Sequence, residues 1–182
     1  KVAILSSGLF GSISGSAVAN VVVTGTFTIP MMKSLGYKPE FAAAVEAAAS
    51  TGGQIMPPIM GAAAFLMAET LGISYMQVAK AAIIPALLYF SGIWIMVHFE
   101  AKKMGMRGLS KEELPKVWHV LKDRGHLFLP LIAIIYFLAK GSTPIKAAMY
   151  GIIFSIVASV IKKSTRMNFR DFIDALEIGA RN

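Results

Sequence analysis

The sequence opens with a long stretch, residues 2–32, that contains no charged side chain. This stretch is longer than the ~20 residues that an α-helix needs to cross the hydrocarbon of a bilayer. Its middle, residues 11–16, reads GSISGS, and such small, hydrogen-bonding residues favour a turn over a helix interior. Two apolar arms, 2–10 and 17–32, would then meet at a polar tip. Because the first arm is too short to span, the sequence predicts a re-entrant helical hairpin over residues 1–32.

Composition indicates an all-α integral membrane protein. Hydrophobic residues make up 55% of the chain, charged residues only 15%, and the mean hydropathy is +0.63. Cysteine is absent and the three histidines are scattered, which argues against a metal enzyme. The net charge of +8 comes from short basic tracts between apolar runs, a pattern typical of membrane anchoring, so no nucleic-acid partner is expected. Since Lys1 stands inside an apolar run, we expect the chain to be an excerpt of a longer polypeptide.

The rest of the chain divides into five segments. Residues 41–72 are long enough to cross the bilayer but are interrupted by Ser50-Thr51-Gly52-Gly53 and by Pro57-Pro58, so they predict a broken transmembrane helix. The others are a transmembrane helix at 78–99, a cytoplasmic amphipathic loop at 100–125, a transmembrane helical hairpin at 126–161 and a cytoplasmic segment at 162–182. Seven Lys or Arg in 100–125 and five after Ile161 place those segments on the cytoplasmic side.

Two helix breaks at membrane depth indicate a polar site. Unpaired backbone groups are tolerated there only when they are buried in protein or line a cavity, and transporters use such breaks to bind ions and anionic substrates. Neutral oxygens and glycines that permit close approach occur at both breaks, which suits sodium. The competing interpretation is close helix packing through Gly11-x-x-x-Gly15. Glu46 and Glu69 stand near predicted helix ends, so we expect both at the membrane interface.

Two other kinds of function remain open from the residues alone. A polar hairpin tip could form the filter of an ion channel. Ser14 could also be the nucleophile of an intramembrane serine hydrolase, but that mechanism needs a base within hydrogen-bond reach, and the histidines fall at predicted helix ends. No phosphate-binding loop of the Gly-x-x-x-x-Gly-Lys-Ser/Thr type occurs. We therefore expect a transport protein and not an enzyme.

Several motifs resemble one family of transporters. Residues 11–20 (GSISGSAVAN), 25–32 (GTFTIPMM) and 48–58 (AASTGGQIMPP) resemble the large membrane subunit of tripartite ATP-independent periplasmic (TRAP) transporters. Residues 97–105 (VHFEAKKMG) resemble the branch in which small and large membrane subunits are fused and served by TAXI-type binding proteins. Residues 175–180 resemble the entry into a second, inverted half, so the chain would be a fragment of the permease.

The resemblance implies a fold, partners and a substrate class. The fold would be one half of an inverted-repeat, elevator-type transporter in a bacterial or archaeal inner membrane. The partners would be the bilayer, the rest of the fused permease chain and a periplasmic TAXI-type binding protein that delivers an organic acid, a dicarboxylate or a glutamate-like compound. Sodium would be the coupling ion, with no other cofactor. Many relatives have Asp where this chain has Asn20 and Ser where it has Ile59, so hydroxyls and carbonyls would do more of the binding here.

We therefore predict that the hairpin tip and the second break share one site. The predicted sodium ligands are Ser14, Ser16, Asn20, Ser50, Thr51 and Gly53. The predicted substrate contacts are Gly15, Ser16 and Thr51.

Overall fold

The computed structural model describes residues 1–106, 125–161, 173–175 and 177. These residues form helices and turns without a strand, which confirms the all-α prediction for the described part. The chain divides into two compact units, Lys1–Leu109 and Ser110–Asn182. Most of the predicted loop 100–125 and nearly all of the segment 162–182 lie outside the described residues.

Seven α-helices are described, five of them in the first unit. These five are α1 (Val2–Ser14), α2 (Ala17–Ser34), α3 (Pro39–Gly53), α4 (Ala62–Leu71) and α5 (Tyr75–Lys103). The second unit contains a short 3₁₀ turn (Gly125–Phe128), α6 (Leu129–Ala139) and α7 (Pro144–Ile161).

Helix α3 is the centre of the first unit and packs against α1, α2 and α5. Its inward face carries small side chains, among them Ala42 and Ala49, which are fully buried. Small residues let neighbouring helix backbones approach closely, as is common between helices in membranes. Larger apolar side chains from α1 and α5, including Ile4 and Val97, complete this core.

The outer surface of the first unit is strongly apolar. Helix α5 is 29 residues long, and large side chains along it such as Ile84, Leu87 and Leu88 are exposed. At 1.5 Å per residue such a helix is about 43 Å long, more than the hydrocarbon thickness. Helices α5 and α7 are each long and apolar enough to cross a membrane. Their exposed surface therefore suits lipid or other membrane-embedded protein.

The hairpin turn is shorter than the sequence suggested. Helix α1 continues through Gly11 and Ser12 to Ser14, so only Gly15 and Ser16 separate it from α2. The Ser12 hydroxyl donates to the Leu9 carbonyl at 2.8 Å within the helix. Both Gly11 and Ser12 are buried in packing, and such tertiary contacts override weak helix propensity.

The second break also differs from its predicted position. Helix α3 runs through Ser50, Thr51 and Gly52 to Gly53, and the irregular backbone occupies residues 54–61. Pro57 and Pro58, which lack backbone N–H groups, lie inside this segment and account for the interruption. Glycines at 52 and 53 stay helical because they pack directly against neighbouring helices. We call residues 54–61 the helix break.

The described part of the second unit is a pair of packed helices. Helices α6 and α7 are joined by a turn in which Gly141 has a φ of 81°. The rings of Phe137 and Tyr150 stack with centroids 3.9 Å apart, and Gly151 gives Ile134 room to lie across the interface.

Candidate functional site: a hairpin tip against a helix break

Two residues form the tip of the α1–α2 hairpin. Gly15 has a φ of 65°, a left-handed conformation that glycine adopts without strain, and its N–H donates to the Gly11 carbonyl at 3.0 Å. The Ser16 hydroxyl accepts from the Ala19 N–H at 3.3 Å and so caps α2. The hairpin tip, Gly15 and Ser16, is thus a compact reversal made mainly by backbone.

The hairpin lies directly against the helix break. The Met60 N–H donates to the Ser12 carbonyl at 3.1 Å, which joins the two irregular segments by a backbone hydrogen bond. A Cβ placed on Gly15 would lie 2.6 Å from the Met60 carbonyl oxygen, and one placed on Gly53 would lie 2.6 Å from the Gly11 Cα. No side chain larger than hydrogen fits at either position. We call this junction of Gly11, Ser12, Gly15, Gly53 and Met60 the tip contact.

Hydrogen bonds within the first unit fix the shape of the helix break. The Gly61 N–H donates to the Gln54 carbonyl at 2.7 Å and closes the segment into a loop. The Tyr75 hydroxyl, at the start of α5, lies 3.3 Å from the Pro58 carbonyl and also donates to the Ile59 carbonyl. The carbonyls of the helix break, which lie outside any helix, therefore accept hydrogen bonds from other groups of the protein.

A cavity of about 330 Å³ lies beside the tip contact. It is lined by Gly15 from the tip, by Gln54 and Gly61 from the break, and by the first residues of α4. The first N–H groups of a helix lack intrahelical acceptors and carry partial positive charge, which favours anions. The cavity thus combines backbone polar groups with apolar walls from Met67 and Val78.

A second polar feature lies in the core between α1, α2 and α3. It is built around the carboxylate of Glu46, which is 0% exposed. We call it the carboxylate cluster, and its members are Ser7, Asn20, Thr24, Thr28, Glu46 and Ser50. The Glu46 Oε1 accepts from Ser7 at 2.9 Å, from Ser50 at 3.2 Å and from Thr24. The Oε2 accepts from Thr28 at 2.6 Å.

Asn20 links the carboxylate cluster to the tip contact. Its Nδ2 donates to the Ser7 carbonyl at 2.9 Å and to the Ser7 hydroxyl at 3.1 Å. The same Nδ2 would lie 3.0 Å from a Cβ on Gly11, so it borders the tip contact directly. Every buried polar side-chain atom among the described residues has a partner.

The expectation that Glu46 lies at the membrane interface is wrong. Its position near the start of the predicted broken helix suggested an exposed residue, but Glu46 lies in the middle of α3, where hydroxyls from three helices enclose it. The signal was present in the spacing: Asn20, Thr24 and Thr28 recur every four residues in an otherwise apolar helix, and so do Glu46 and Ser50. Glu69, by contrast, is exposed at the end of α4, as expected for an interfacial residue.

The predicted site residues fall into three groups. Asn20 and Ser50 belong to the carboxylate cluster, and Gly15 and Gly53 belong to the tip contact. Ser14, Ser16 and Thr51 belong to neither cluster nor contact. Ser14 and Thr51 are exposed, and the Thr51 hydroxyl donates to the Ala47 carbonyl at 2.8 Å. Glu46, a buried carboxylate of the first unit, bonds to Ser7 and Ser50 and not to Ser14.

Comparison with known proteins identifies the family. The family model described as "Tripartite ATP-independent periplasmic transporter, DctM component" matches residues 1–182. The 2,3-diketo-L-gulonate TRAP transporter large permease protein YiaN of Escherichia coli is 28% identical over 88% of this chain and 38% of its own length. The sialic acid TRAP transporter large permease protein SiaM of Vibrio cholerae is 28% identical over 96% of this chain and 40% of its own length.

A further relative is the C4-dicarboxylate TRAP transporter large permease protein DctM of Rhodobacter capsulatus, 23% identical over 86% of this chain and 39% of its own length. The chain thus spans well under half the length of these curated relatives. No solved structure matches it.

The relatives are named as transporter permeases and not as enzymes, which confirms both the non-enzyme expectation and the predicted family. The chain belongs to the DctM component family of tripartite ATP-independent periplasmic transporters, whose members are multi-pass proteins of the inner membrane.

Proposed function

We propose that this chain is part of the membrane permease of a sodium-coupled secondary transporter that imports an organic acid. The observation that carries the proposal is the tip contact, where two interruptions of helical backbone meet beside a cavity. Secondary transporters build midplane sites from discontinuous helices in this way. The alternative is an ion channel, and the tight backbone packing at Gly15 and Gly53 beside the cavity favours a transporter over it.

The substrate of this proposal is an anion bound beside the helix break. Helix α4 begins at Ala62, which lines the cavity, so its positive end faces a bound carboxylate there. Two of the relatives are named for sialic acid and for C4-dicarboxylates. We infer a dicarboxylate or glutamate-like substrate, with Gly15, Ser16 and Thr51 as candidate contacts.

Sodium in this proposal binds at the tip and break, where carbonyl and hydroxyl oxygens are concentrated. Ser14, Ser16, Thr51 and Gly53 remain the candidate ligands from the irregular ends of the helices. Asn20 and Ser50, which the sequence also predicted as ligands, are hydrogen-bonded within the carboxylate cluster. In this proposal they hold the neighbouring helices in position and do not contact the ion.

The proposed partners are a periplasmic binding protein of the TAXI type and the remainder of a fused permease chain. The binding protein would deliver the acid from the periplasm. An elevator motion would then carry the tip contact and its cavity across the membrane as one body. Such a motion requires a rigid moving unit, and the dense packing of α3 between α1 and α2 suits that requirement.

Uptake into proteoliposomes tests this function. The complete permease would be reconstituted with its binding protein, and radiolabelled dicarboxylates would be offered with and without an inward sodium gradient. We expect uptake that needs both the gradient and the binding protein. Uptake equally fast without sodium and without the binding protein would refute the proposal. Ionic current in the absence of the binding protein would support a channel instead.

A further inference from the structure

An apolar groove of about 340 Å³ lies in the first unit between α1, α5 and the helix break. We call it the outer groove. Its walls are formed by Leu5 and Leu9 from α1, Ile83 and Leu87 from α5, and Met56 and Pro57 from the helix break. The four wall residues on the helices are all exposed. The outer groove shares no lining residue with the cavity beside the tip contact, so it is a separate feature of the surface.

The floor of the outer groove is closed by tight packing. A Cβ placed on Gly8 would lie 2.7 Å from the Phe90 Cε1, so the Phe90 ring rests directly on the backbone of α1. Ile4 and Ala86, which also line the groove, are 1% and 4% exposed. Side chains of this kind offer water no hydrogen-bond partner. In a membrane the groove is therefore a place for hydrocarbon.

One end of the outer groove is basic. The Lys1 Nζ lies 3.1 Å from the His98 Nδ1 and 5.1 Å from the centroid of the Trp94 ring, which lines the groove. An ammonium group can only donate, so Nδ1 accepts and the proton of the neutral imidazole is on Nε2. Both Lys1 and His98 are exposed. This end thus presents an ammonium and an imidazole N–H, and neither ring cancels the positive charge.

The opposite end of the outer groove is at the helix break. Lys1 immediately precedes α1, whereas Met56 follows Gly53, which packs on Gly11 near the end of α1. The groove therefore runs along α1 from the basic end to Met56 and Pro57. An occupant of the groove would contact the break on the side away from the tip contact.

The outer groove has the length of one lipid leaflet. Its lining residues on α5 run from Ile83 to Trp94, which is about 16 Å at 1.5 Å per residue. One leaflet contributes about 15 Å of hydrocarbon. His98 is one turn beyond Trp94, and the last turn of α5 contains Lys102 and Lys103, basic residues typical of a membrane surface. The basic end therefore lies at the level of the lipid headgroups.

The width of the outer groove suits one extended chain. A volume of about 340 Å³ over this length gives a width of about 5 Å, whereas an α-helix with its side chains is about 10 Å in diameter. A single acyl chain fits inside the groove, and a helix of the permease does not.

We propose that the outer groove binds an anionic phospholipid, with one acyl chain along the groove and the phosphate at Lys1 and His98. Charge complementarity selects this occupant, because an ammonium and an imidazole N–H are suitable donors to phosphate oxygens. Basic groups at a membrane surface also attract anionic lipids. The inference needs only the membrane location of the family. It goes beyond the proposed function, since it depends neither on sodium coupling nor on the substrate.

Quenching of Trp94 fluorescence by brominated lipid tests the proposal. The complete permease would be placed in phosphatidylcholine nanodiscs that contain a small fraction of phosphatidylglycerol or phosphatidylcholine with brominated acyl chains. The Trp94 signal is the difference between the wild type and Trp94→Phe. We expect brominated phosphatidylglycerol to quench this signal at about fivefold lower mole fraction than brominated phosphatidylcholine, because one basic residue near the surface favours an anionic lipid by about that factor.

Charge variants separate a specific site from general attraction to a basic surface. Lys1→Gln should bring the two mole fractions close together, and His98→Gln should have a smaller effect in the same direction. Lys80→Gln is the matched control, since Lys80 is exposed near the other end of α5 and does not line the groove; it should keep the fivefold difference.

Three results would overturn the proposal. Equal quenching by both lipids in the wild type would mean that the groove does not select an anionic headgroup. A difference that survives Lys1→Gln would mean that the phosphate is bound elsewhere. A Trp94 signal that neither lipid quenches would show that another segment of the permease covers the groove.

Discussion

The carboxylate cluster and the tip contact lie next to each other and are built in opposite ways. The cluster consists of polar side chains on regular helices, and all of them are buried and hydrogen-bonded. The tip contact consists of backbone and glycine at helix ends, and its one hydroxyl, on Ser12, donates to a carbonyl within α1. The comparison indicates that side-chain chemistry stabilises the core here, while backbone geometry shapes the cavity.

The largest effect on stability should come from removing the carboxylate. Glu46→Ala leaves a cavity between α1, α2 and α3 and takes away the acceptor for four hydroxyls. We expect a loss of about 3 to 4 kcal/mol in the free energy of unfolding. Equilibrium unfolding in detergent measures it. Glu69→Ala, the exposed control, should change stability by less than about 0.5 kcal/mol. Equal losses in Glu46→Ala and Glu69→Ala would contradict the claim that the carboxylate cluster stabilises the core.

The next effect should come from the tip contact. Gly53→Ala places a methyl group 2.6 Å from the Gly11 Cα, so α1 and α3 must separate. We expect about 2 to 3 kcal/mol of destabilisation from this overpacking, together with loss of uptake in proteoliposomes. Gly92→Ala is the control, since a Cβ on Gly92 meets nothing within 4 Å. Normal uptake by Gly53→Ala would show that the backbones need not approach so closely.

A matched pair on α2 separates buried from exposed hydroxyls. Thr28→Val removes a buried donor to Glu46, and we expect a loss of about 1 kcal/mol. Thr26→Val removes a hydroxyl that is exposed and bonds only to the Val23 carbonyl, so stability should change little. Thermal unfolding of the two variants measures the difference. Identical midpoints would mean that the cluster adds nothing to the stability of α2.

The smallest effect should come from the hairpin tip itself. Ser16→Ala removes the side-chain cap of α2, which accepts from Ala19 through a long bond of 3.3 Å. We expect a loss of about 0.5 kcal/mol, at the lower end for such caps. The control is Ser14→Ala, which removes an exposed hydroxyl near the same turn. If Ser16→Ala lowered the free energy of unfolding by more than Thr28→Val does, the hairpin tip would contribute more to stability than this buried hydroxyl of the cluster, contrary to our expectation.

The sequence predicted the tip contact better than the cluster. Glycines and consecutive prolines in apolar runs have a direct local cause, and they indicated two breaks that the structure has, shifted by a few residues. The shift arose because Gly11, Ser12 and residues 50–53 stay helical through contacts with other helices. Those contacts are not visible in local sequence.

The carboxylate cluster could not be assembled from the sequence because its members come from three helices. Each hydroxyl is unremarkable alone, since serine and threonine in apolar helices commonly bond to their own backbone. Only the mutual arrangement of α1, α2 and α3 turns Ser7, Thr28 and Glu46 into one network. The prediction placed a helix end near Glu46, whereas α3 begins at Pro39 and carries Glu46 at its middle, inside the core.

The central claim is that the tip and the break enclose the binding site, and solvent access to it is the most direct measurement. This part of the permease has no cysteine, so Ser14→Cys, Thr51→Cys and the control Glu69→Cys can each be labelled with a membrane-impermeant thiol reagent. We predict that sodium together with the loaded binding protein slows labelling at positions 14 and 51 and leaves position 69 unchanged. Labelling rates that do not respond to either addition at any of the three positions would contradict the account.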